Sequence, residues 1–351
     1  MSSNSVTNEL LTTQRQFKEQ VMEELNQYPF RAPAWLKNCH FQTVGARYIR
    51  RVAIPPFEQE RWETPDQDIL HVHFSYGDPE MPIALLLHGL EGSRESTYIL
   101  GLTQMLNRIN WNVAVMEFRS CSGEINQAKR LYHSGETTDA AWVVGQLTQR
   151  FPGKRIYMAG YSLGGNVTAK WLGENGDDIP KSIKAAAIVS APYNLVESSN
   201  AMDNSLACKM YIWRFIRTLT PKAIEKSKQY PGCLDIDAVL KARTWKGFDD
   251  AATAPLHGFK DAHDYYTSVQ CGQFVEHIRR PTLLLSAADD PFNPGNSFPM
   301  DACNESPWLH PQLTDLGGHV GFVRKGDTGL VGFWSEEQIV RFFQSYDRLL
   351  S

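Results

Sequence analysis

Apolar residues in this chain recur at two spacings, and the change from one to the other marks out its elements. Residues 68–74 (Asp-Ile-Leu-His-Val-His-Phe) place Leu70, Val72 and Phe74 on one side at period two, the alternation of a half-exposed strand. Ile83–Leu87, Val113–Phe118, Ile156–Ala159 and Ala185–Val189 are short, nearly continuous apolar runs ending in Gly, Ser, Pro or charged residues. Such runs predict parallel strands buried on both faces. Thr282–Ser286 and Trp308–Leu316 predict two more strands further on.

Helical spacing appears between them. Ala140, Val143, Val144, Leu147 and Phe151 fall on one helical face, behind Glu136 and Asp139, whose charges suit a helix N-terminus. Near the end, Ser335 and Gln338 have the spacing of a capping box, and Ile339, Phe342, Phe343 and Tyr346 follow as an apolar stripe. Strand–helix alternation over residues 83–190, resuming at Pro281–Ser286, predicts an α/β fold: a mostly parallel central sheet with helices on both faces.

The alternation stops between Pro192 and Arg280, where aromatics gather (Tyr211, Trp213, Phe215, Trp245, Phe248, Phe259, Tyr265, Tyr266). We read residues 192–280 as a helical cap inserted into a core domain of residues 66–351, with residues 1–65 an N-terminal extension packed on the core. Insertions at the C-terminal ends of strands commonly build the substrate site in such sheets. The competing reading is a set of peripheral helices packed for stability alone.

Composition narrows the function classes. With 42% hydrophobic and 21% charged residues the chain is neither disordered nor fibrous. A formal net charge of −4 offers no broad footprint for nucleic acid. The six cysteines contain no C-x-x-C pair, so neither a zinc site nor a redox pair is expected. Met1 to Leu25 carries Glu9, Glu19, Glu23 and Glu24 and lacks the basic start and apolar core of a signal peptide. Aliphatic runs reach only about five residues, against the roughly twenty of a membrane span. The expectation is a cytoplasmic protein, with transient contact at a membrane surface left open and oligomeric state undetermined.

The chemistry centres on Gly160-Tyr161-Ser162-Leu163-Gly164. A G-x-S-x-G string alone is weak, but this one lies between the strand ending at Ala159 and a helix expected over Gly165–Leu172. There it forms a sharp turn that pushes the serine hydroxyl into the cleft. A neutral serine needs a base within hydrogen-bond reach. In this strand–turn–helix setting the partners follow in the order nucleophile, acid, histidine. The histidines after Ser162 include His257, His277, His310 and His319. The first two lie in the cap or at its edge, and His310 lies inside a strand. His319, in Gly317-Gly318-His319-Val320-Gly321, follows that strand in a loop free to aim a side chain. Asp289 and Asp290 compete for the acid; Asp290, four residues before Pro294, is favoured, leaving Asp289 to brace its loop. The oxyanion donors are expected to be the backbone N–H groups of Leu163 and of Leu90, in His88-Gly89-Leu90-Glu91-Gly92. His88 is read as a brace for that loop.

Weaker candidates are His71 and His73, an H-x-H that either ligates metal or belongs to a solvated strand face, the latter favoured. Asp235 and Asp237 read as surface residues. The cationic, aromatic stretch Lys209–Lys222 reads as a cap helix with snorkelling basic chains, with lipid contact as the alternative.

The chain resembles the YheT-like branch of the α/β-hydrolases, which includes embryogenesis-associated plant proteins and eukaryotic lipase-like members. The likeness is carried by Asn38-Cys39-His40-Phe41-Gln42-Thr43, His88–Gly92, Phe118-Arg119-Ser120-Cys121-Ser122-Gly123, Gly160–Asn166, Phe248-Asp249-Asp250 with Tyr265-Tyr266, and the loops bearing Asp290 and His319. It implies a triad of Ser162, Asp290 and His319, no metal or organic cofactor, and hydrolysis of short-to-medium acyl esters. Some relatives act on phospholipids or move acyl groups to alcohols, so a phospholipid-directed lipase and an acyltransferase remain alternatives, as does a non-catalytic binding protein of the same fold. One departure is Glu117-Phe118-Arg119-Ser120, where relatives often have Asn and Arg-Gly, which leaves that loop's shape open.

Overall fold

The apolar runs become strands because helices cover both of their faces. A computed structural model describes residues 3–326 and 331–350, with the backbone alone for residues 3–10. Its main sheet has β1 Glu58–Glu63, β2 Ile69–Ser75, β3 Ile83–Leu87, β4 Asn112–Glu117, β5 Ile156–Tyr161, β6 Ile183–Val189, β7 Thr282–Ala287 and β8 Leu309–Thr314. The spatial order is β1-β2-β4-β3-β5-β6-β7-β8, antiparallel at β1–β2 and β2–β4 and parallel from there on. A short pair, β9 Val323–Lys325 and β10 Val331–Phe333, stands apart.

The helices are α1 Ser3–Asn26, α2 Cys39–Ile49, α3 Thr97–Arg108, α4 Thr138–Arg150 and α5 Leu163–Asn175. After β6 come α6 Leu195–Asn204, α7 Lys209–Gln229, α8 Ile236–Lys241 and α9 Trp245–Phe248, which passes through a π-helical turn, Asp249–Thr253, into α10 Ala254–His257; α11 is Ala262–Val269. Last are α12 Met300–Glu305 and α13 Trp334–Leu349.

Period two along the central strands sorts their side chains into two cores. Leu85, Leu87, Ala114, Met116, Met158 and Ile188 face α4 and α5, packing with Val143, Leu147, Val167 and Leu172. Their neighbours Ala84, Leu86, Val113, Val115, Tyr157 and Ala187 face α3 and α13, packing with Leu102, Leu106, Ile339 and Phe342. That double burial explains why the runs lack alternation.

Two expectations change. The strand expected to be half exposed, β2, is buried on both faces over Leu70–Ser75, His71 and His73 included. The outer position belongs to β1, Glu-Gln-Glu-Arg-Trp-Glu, whose charges suit an exposed edge and gave no apolar signal. The capping box is absent too. Helix α13 begins at Trp334 behind Phe333, Ser335 bonds to the Glu336 carboxylate, and the Gln338 amide donates to the carbonyls of Leu25 and Tyr28, tying α1 to α13.

Candidate active site

Every parallel strand ends on the same side of the sheet, and the sequence-derived candidates collect there. Ser162 is the single residue between β5 and α5, at φ 53° and ψ −117°. Such a conformation costs a non-glycine residue on the order of 1–3 kcal/mol and persists only where its surroundings fix it. They do so here. The Ser162 N–H donates to the Val189 carbonyl at 2.8 Å. A Cβ on Gly160 would lie 2.2 Å from the Gly164 carbonyl oxygen, and one on Gly164 would lie 2.5 Å from that of His88. Both glycines of the motif therefore allow α5 to start hard against β5 and the end of β3.

His319 reaches this turn from the loop after β8. Its Nε2 lies 2.9 Å from the Ser162 Oγ, and its Nδ1 lies 2.9 Å from an Asp290 carboxylate oxygen. A carboxylate accepts, so Nδ1 carries the proton and Nε2 is free to accept from the serine hydroxyl. The histidine side chain is 10% exposed and the aspartate 1%. The other Asp290 oxygen accepts the N–H groups of Phe292 at 2.8 Å and Asn293 at 3.2 Å, so the acid is fixed in orientation. Asp289 turns the other way and accepts the Gly318 N–H at 2.8 Å, which ties together the loops that carry Asp290 and His319.

Sequence reasoning gave no role to the residues that hold the histidine loop from the N-terminal side. Asn38 caps α2 by accepting the His40 and Phe41 N–H groups. The helix then presents Thr43, whose hydroxyl accepts the His319 N–H at 2.9 Å, and Gln42, whose side chain bonds both backbone groups of Val323. Arg50, just beyond α2, donates to the carbonyls of Val320 and Gly321 and pairs with buried Glu336. The motif Asn38–Thr43 was the available signal, visible only as a resemblance.

On the opposite side of Ser162 lies the turn after β3. A Cβ on Gly89 would come within 3.2 Å of the Ser162 Cβ, so this turn passes directly over the serine. Leu163 is the first residue of α5, and its N–H has no carbonyl within its own helix to reach. The His88 Nε2 accepts the Phe118 N–H at 3.1 Å, which leaves Nδ1 to donate to the Gly89 carbonyl at 2.7 Å. Burial pushes this histidine down to about 4, so it braces the turn as a neutral ring. Next to it, Ser120 stands at φ 63°, a backbone that glycine adopts more readily than a residue bearing a side chain. Its hydroxyl bonds Asn126, and Arg119 is enclosed by Asp66, Asp68 and Asp139.

The segment between β6 and β7 also touches this centre. Tyr211 of α7 packs on Phe292 with ring centroids 4.9 Å apart, and Phe292 on His319 at 4.4 Å. The Tyr211 hydroxyl and the His40 Nδ1 lie 3.2 Å apart, joining α7 to α2. Elsewhere, His71 and His73 do not form a solvated face: His73 bonds Glu117 at 2.9 Å, and His71 lies 3.5 Å from Glu124. Among the described residues no group of His, Cys, Asp and Glu is arranged to hold a metal ion. Asp235 caps α8 through the Ala238 N–H, while Asp237 lies in the first turn of that helix.

Comparison with known proteins agrees with this architecture. A family model described as the alpha/beta hydrolase fold matches residues 82–322. The chain is 39% identical to the YheT protein of Escherichia coli (strain K12) over 316 residues, covering 88% of this chain and 91% of YheT. It is 29% identical to the Mus musculus phospholipase ABHD3 over 69% of this chain and 58% of that protein. An esterase of Pyrococcus furiosus superposes with a TM-score of 0.52 at 16% identity, covering 92% of this chain and 99% of that one, a likeness of fold. The family match and the identity to YheT place this chain in the α/β-hydrolase family, in its YheT-like branch.

Proposed function

We propose that this protein is a carboxylesterase-type serine hydrolase of short-to-medium acyl esters, with Ser162 as nucleophile, His319 as general base and acid, and Asp290 as the orienting carboxylate. The observation that carries the reading is the unbroken relay from Asp290 through His319 to Ser162, at 2.9 Å for each step, beneath the strained turn.

In the reaction so read, Ser162 Oγ attacks the ester carbon as its proton passes to His319 Nε2. Asp290 stabilises the imidazolium without taking a proton itself. The N–H groups of Leu90 and Leu163 receive the negative charge of the tetrahedral intermediate. The alcohol departs with the proton from His319, and water activated by the same nitrogen then releases the acid. These steps use no metal or organic cofactor. An alcohol in place of water would turn the same relay to acyl transfer, and product analysis with added alcohol separates the two.

The test is a panel of soluble esters of increasing acyl length, with Ser162→Ala as control. Turnover by the wild type should end at a chain-length cutoff set by a cap over residues 192–280, and the control should be silent. Full hydrolysis by Ser162→Ala would leave the protein a hydrolase-fold binding module. A cytoplasmic setting belongs to the same reading, supported by six cysteines that all stand as free thiols.

Contact with a lipid surface is supported by one side of α7 and the turn that leads into it. Leu206, Met210 and Trp213 are 80, 64 and 60% exposed. They run as a single stripe flanked by exposed Lys209, Arg214 and Arg217, with Arg217 over the Trp213 ring. An apolar stripe edged by cations suits the surface of a membrane containing anionic lipids.

A further inference from the structure

The turn over Ser162 is held from two sides, and the two holds differ in kind. Its His88–Gly89 half belongs to the core: His88 bonds Phe118, and the Gly89 N–H donates to the Tyr98 hydroxyl at 2.9 Å. Its Leu90–Glu91 half is held at Glu91, which stands at φ 53°, a backbone that side-chain-bearing residues rarely adopt. The Tyr132 hydroxyl accepts the Glu91 N–H and donates to its carboxylate, both at 2.8 Å. The same carboxylate oxygen is bound by Lys222 Nζ at 2.5 Å, with the two side chains 14% and 10% exposed. Lys222 also lies over the Tyr132 ring, 5.6 Å from its centroid.

Lys222 belongs to α7, outside the sheet and its turns. Four residues on, Lys226 fixes the helix by donating to the carbonyls of Asn126 and Ala128. That anchor lies beside the loop after β4, away from the serine. Lys222 instead reaches the residue next to Leu90.

We propose that Lys222 is a positioning residue for the oxyanion hole: its ion pair with Glu91 fixes the Leu90 N–H and so couples the seating of α7 to the rate of acyl transfer. The inference rests on the reading of Leu90 as an oxyanion donor. Stabilisation by such a donor depends on its being aimed before charge develops, so a small displacement of the turn weakens it most in the transition state. Tyr132 remains when Lys222 is lost, so the effect should be smaller than the roughly 10²–10³-fold of deleting a donor outright.

The experiment compares the full-length wild type with Lys222→Met, Lys222→Arg, Glu91→Gln and the double variant Lys222→Met/Glu91→Gln on a short soluble ester. Rates are taken per competent site, counted by fluorophosphonate titration of the nucleophile, so that unfolded protein does not enter them. Lys222→Met should lower kcat about tenfold with KM changed less than about twofold. The affinity of a trifluoromethyl ketone, which forms a tetrahedral oxyanion, should fall in parallel. Lys222→Arg should restore most of the rate, and the double variant should be no slower than the slower single one. Per-site turnover by Lys222→Met equal to that of the wild type would overturn the role of Lys222, as would an unchanged ketone affinity. Turnover retained by Ser162→Ala would instead overturn the hydrolase reading beneath it.

Discussion

The Thr43 hydroxyl accepts the His319 N–H at 2.9 Å across 276 positions of sequence. The same hydroxyl donates to the Cys39 carbonyl within α2, so its lone pairs are aimed by the helix that carries it. It thereby makes the N-terminal part of the chain responsible for where the imidazole stands.

Thr43→Val should therefore act on rate before it acts on folding. The substitution keeps the shape and leaves a partly buried N–H without an acceptor, a loss of about 1–3 kcal/mol. We expect kcat on a soluble ester to fall about tenfold, with KM nearly unchanged. Thr43→Ser should recover the rate. A valine variant as fast as the wild type would mean that Gln42 and Arg50 suffice to hold the loop.

The two neighbouring aspartates should separate by their partners. Asp290→Asn removes the acceptor that fixes the His319 tautomer, and by analogy with serine triads turnover should drop about 10⁴-fold. Asp289→Asn keeps an oxygen that can accept the Gly318 N–H, so its loss should stay within about tenfold. Steady-state rates of the two purified variants decide the matter, and the reverse order would move the orienting acid to position 289.

Sequence carried the centre of this site because its chemistry is local. Gly160, Ser162 and Gly164 sit within one turn, and His319 lies among glycines directly after a strand, so type and context coincide. Thr43, Gln42 and Lys222 are ordinary residues in ordinary helices. Their importance lies in partners hundreds of positions or a whole segment away, which no window reveals. The fold was legible for a similar reason. Strands covered on both faces announce themselves by apolar runs, whereas β1 is charged because it is an edge. His71 and His73 looked like a wet face because the acids that meet them, Glu117 and Glu124, come from later in the chain.

Asp249 should make the stability of the segment between β6 and β7 depend on pH. It lies in the π-helical turn, accepts the Tyr266 hydroxyl at 2.7 Å and bonds Thr253. Burial, its main perturbation, raises it from 3.8 to about 6. Between those values the folded state holds the proton more tightly than the unfolded chain. The stability this adds is complete below about 3.8 and is lost as the pH rises through about 6. Asp249→Asn, which cannot ionise, should gain on the wild type across that window, by on the order of 3 kcal/mol at most. Paired denaturant titrations from pH 4.5 to pH 7.5 measure the difference, and a flat difference would show that Asp249 titrates alike in both states.

The stripe on α7 leads to a prediction that is independent of the relay. Leu206, in the turn before α7, and Met210 and Trp213 on the helix are exposed, whereas Tyr211 and Ile212 of α7 face the cluster containing Phe292, so the stripe can be altered without touching the residues packed on His319. Lys209, Arg214 and Arg217 should each add about 1 kcal/mol at an anionic bilayer, an attraction that salt screens. The wild type should cosediment with phosphatidylcholine vesicles containing phosphatidylglycerol, more weakly with phosphatidylcholine alone, and less in high salt. Met210→Glu/Trp213→Glu places two acids in the stripe and should abolish that binding while leaving turnover of a short soluble ester at the wild-type rate. If the double variant cosediments as the wild type does, α7 is not the docking face. If the wild type binds neither vesicle but forms a dimer that the double variant disrupts, the exposed stripe is covered by a second copy of the chain.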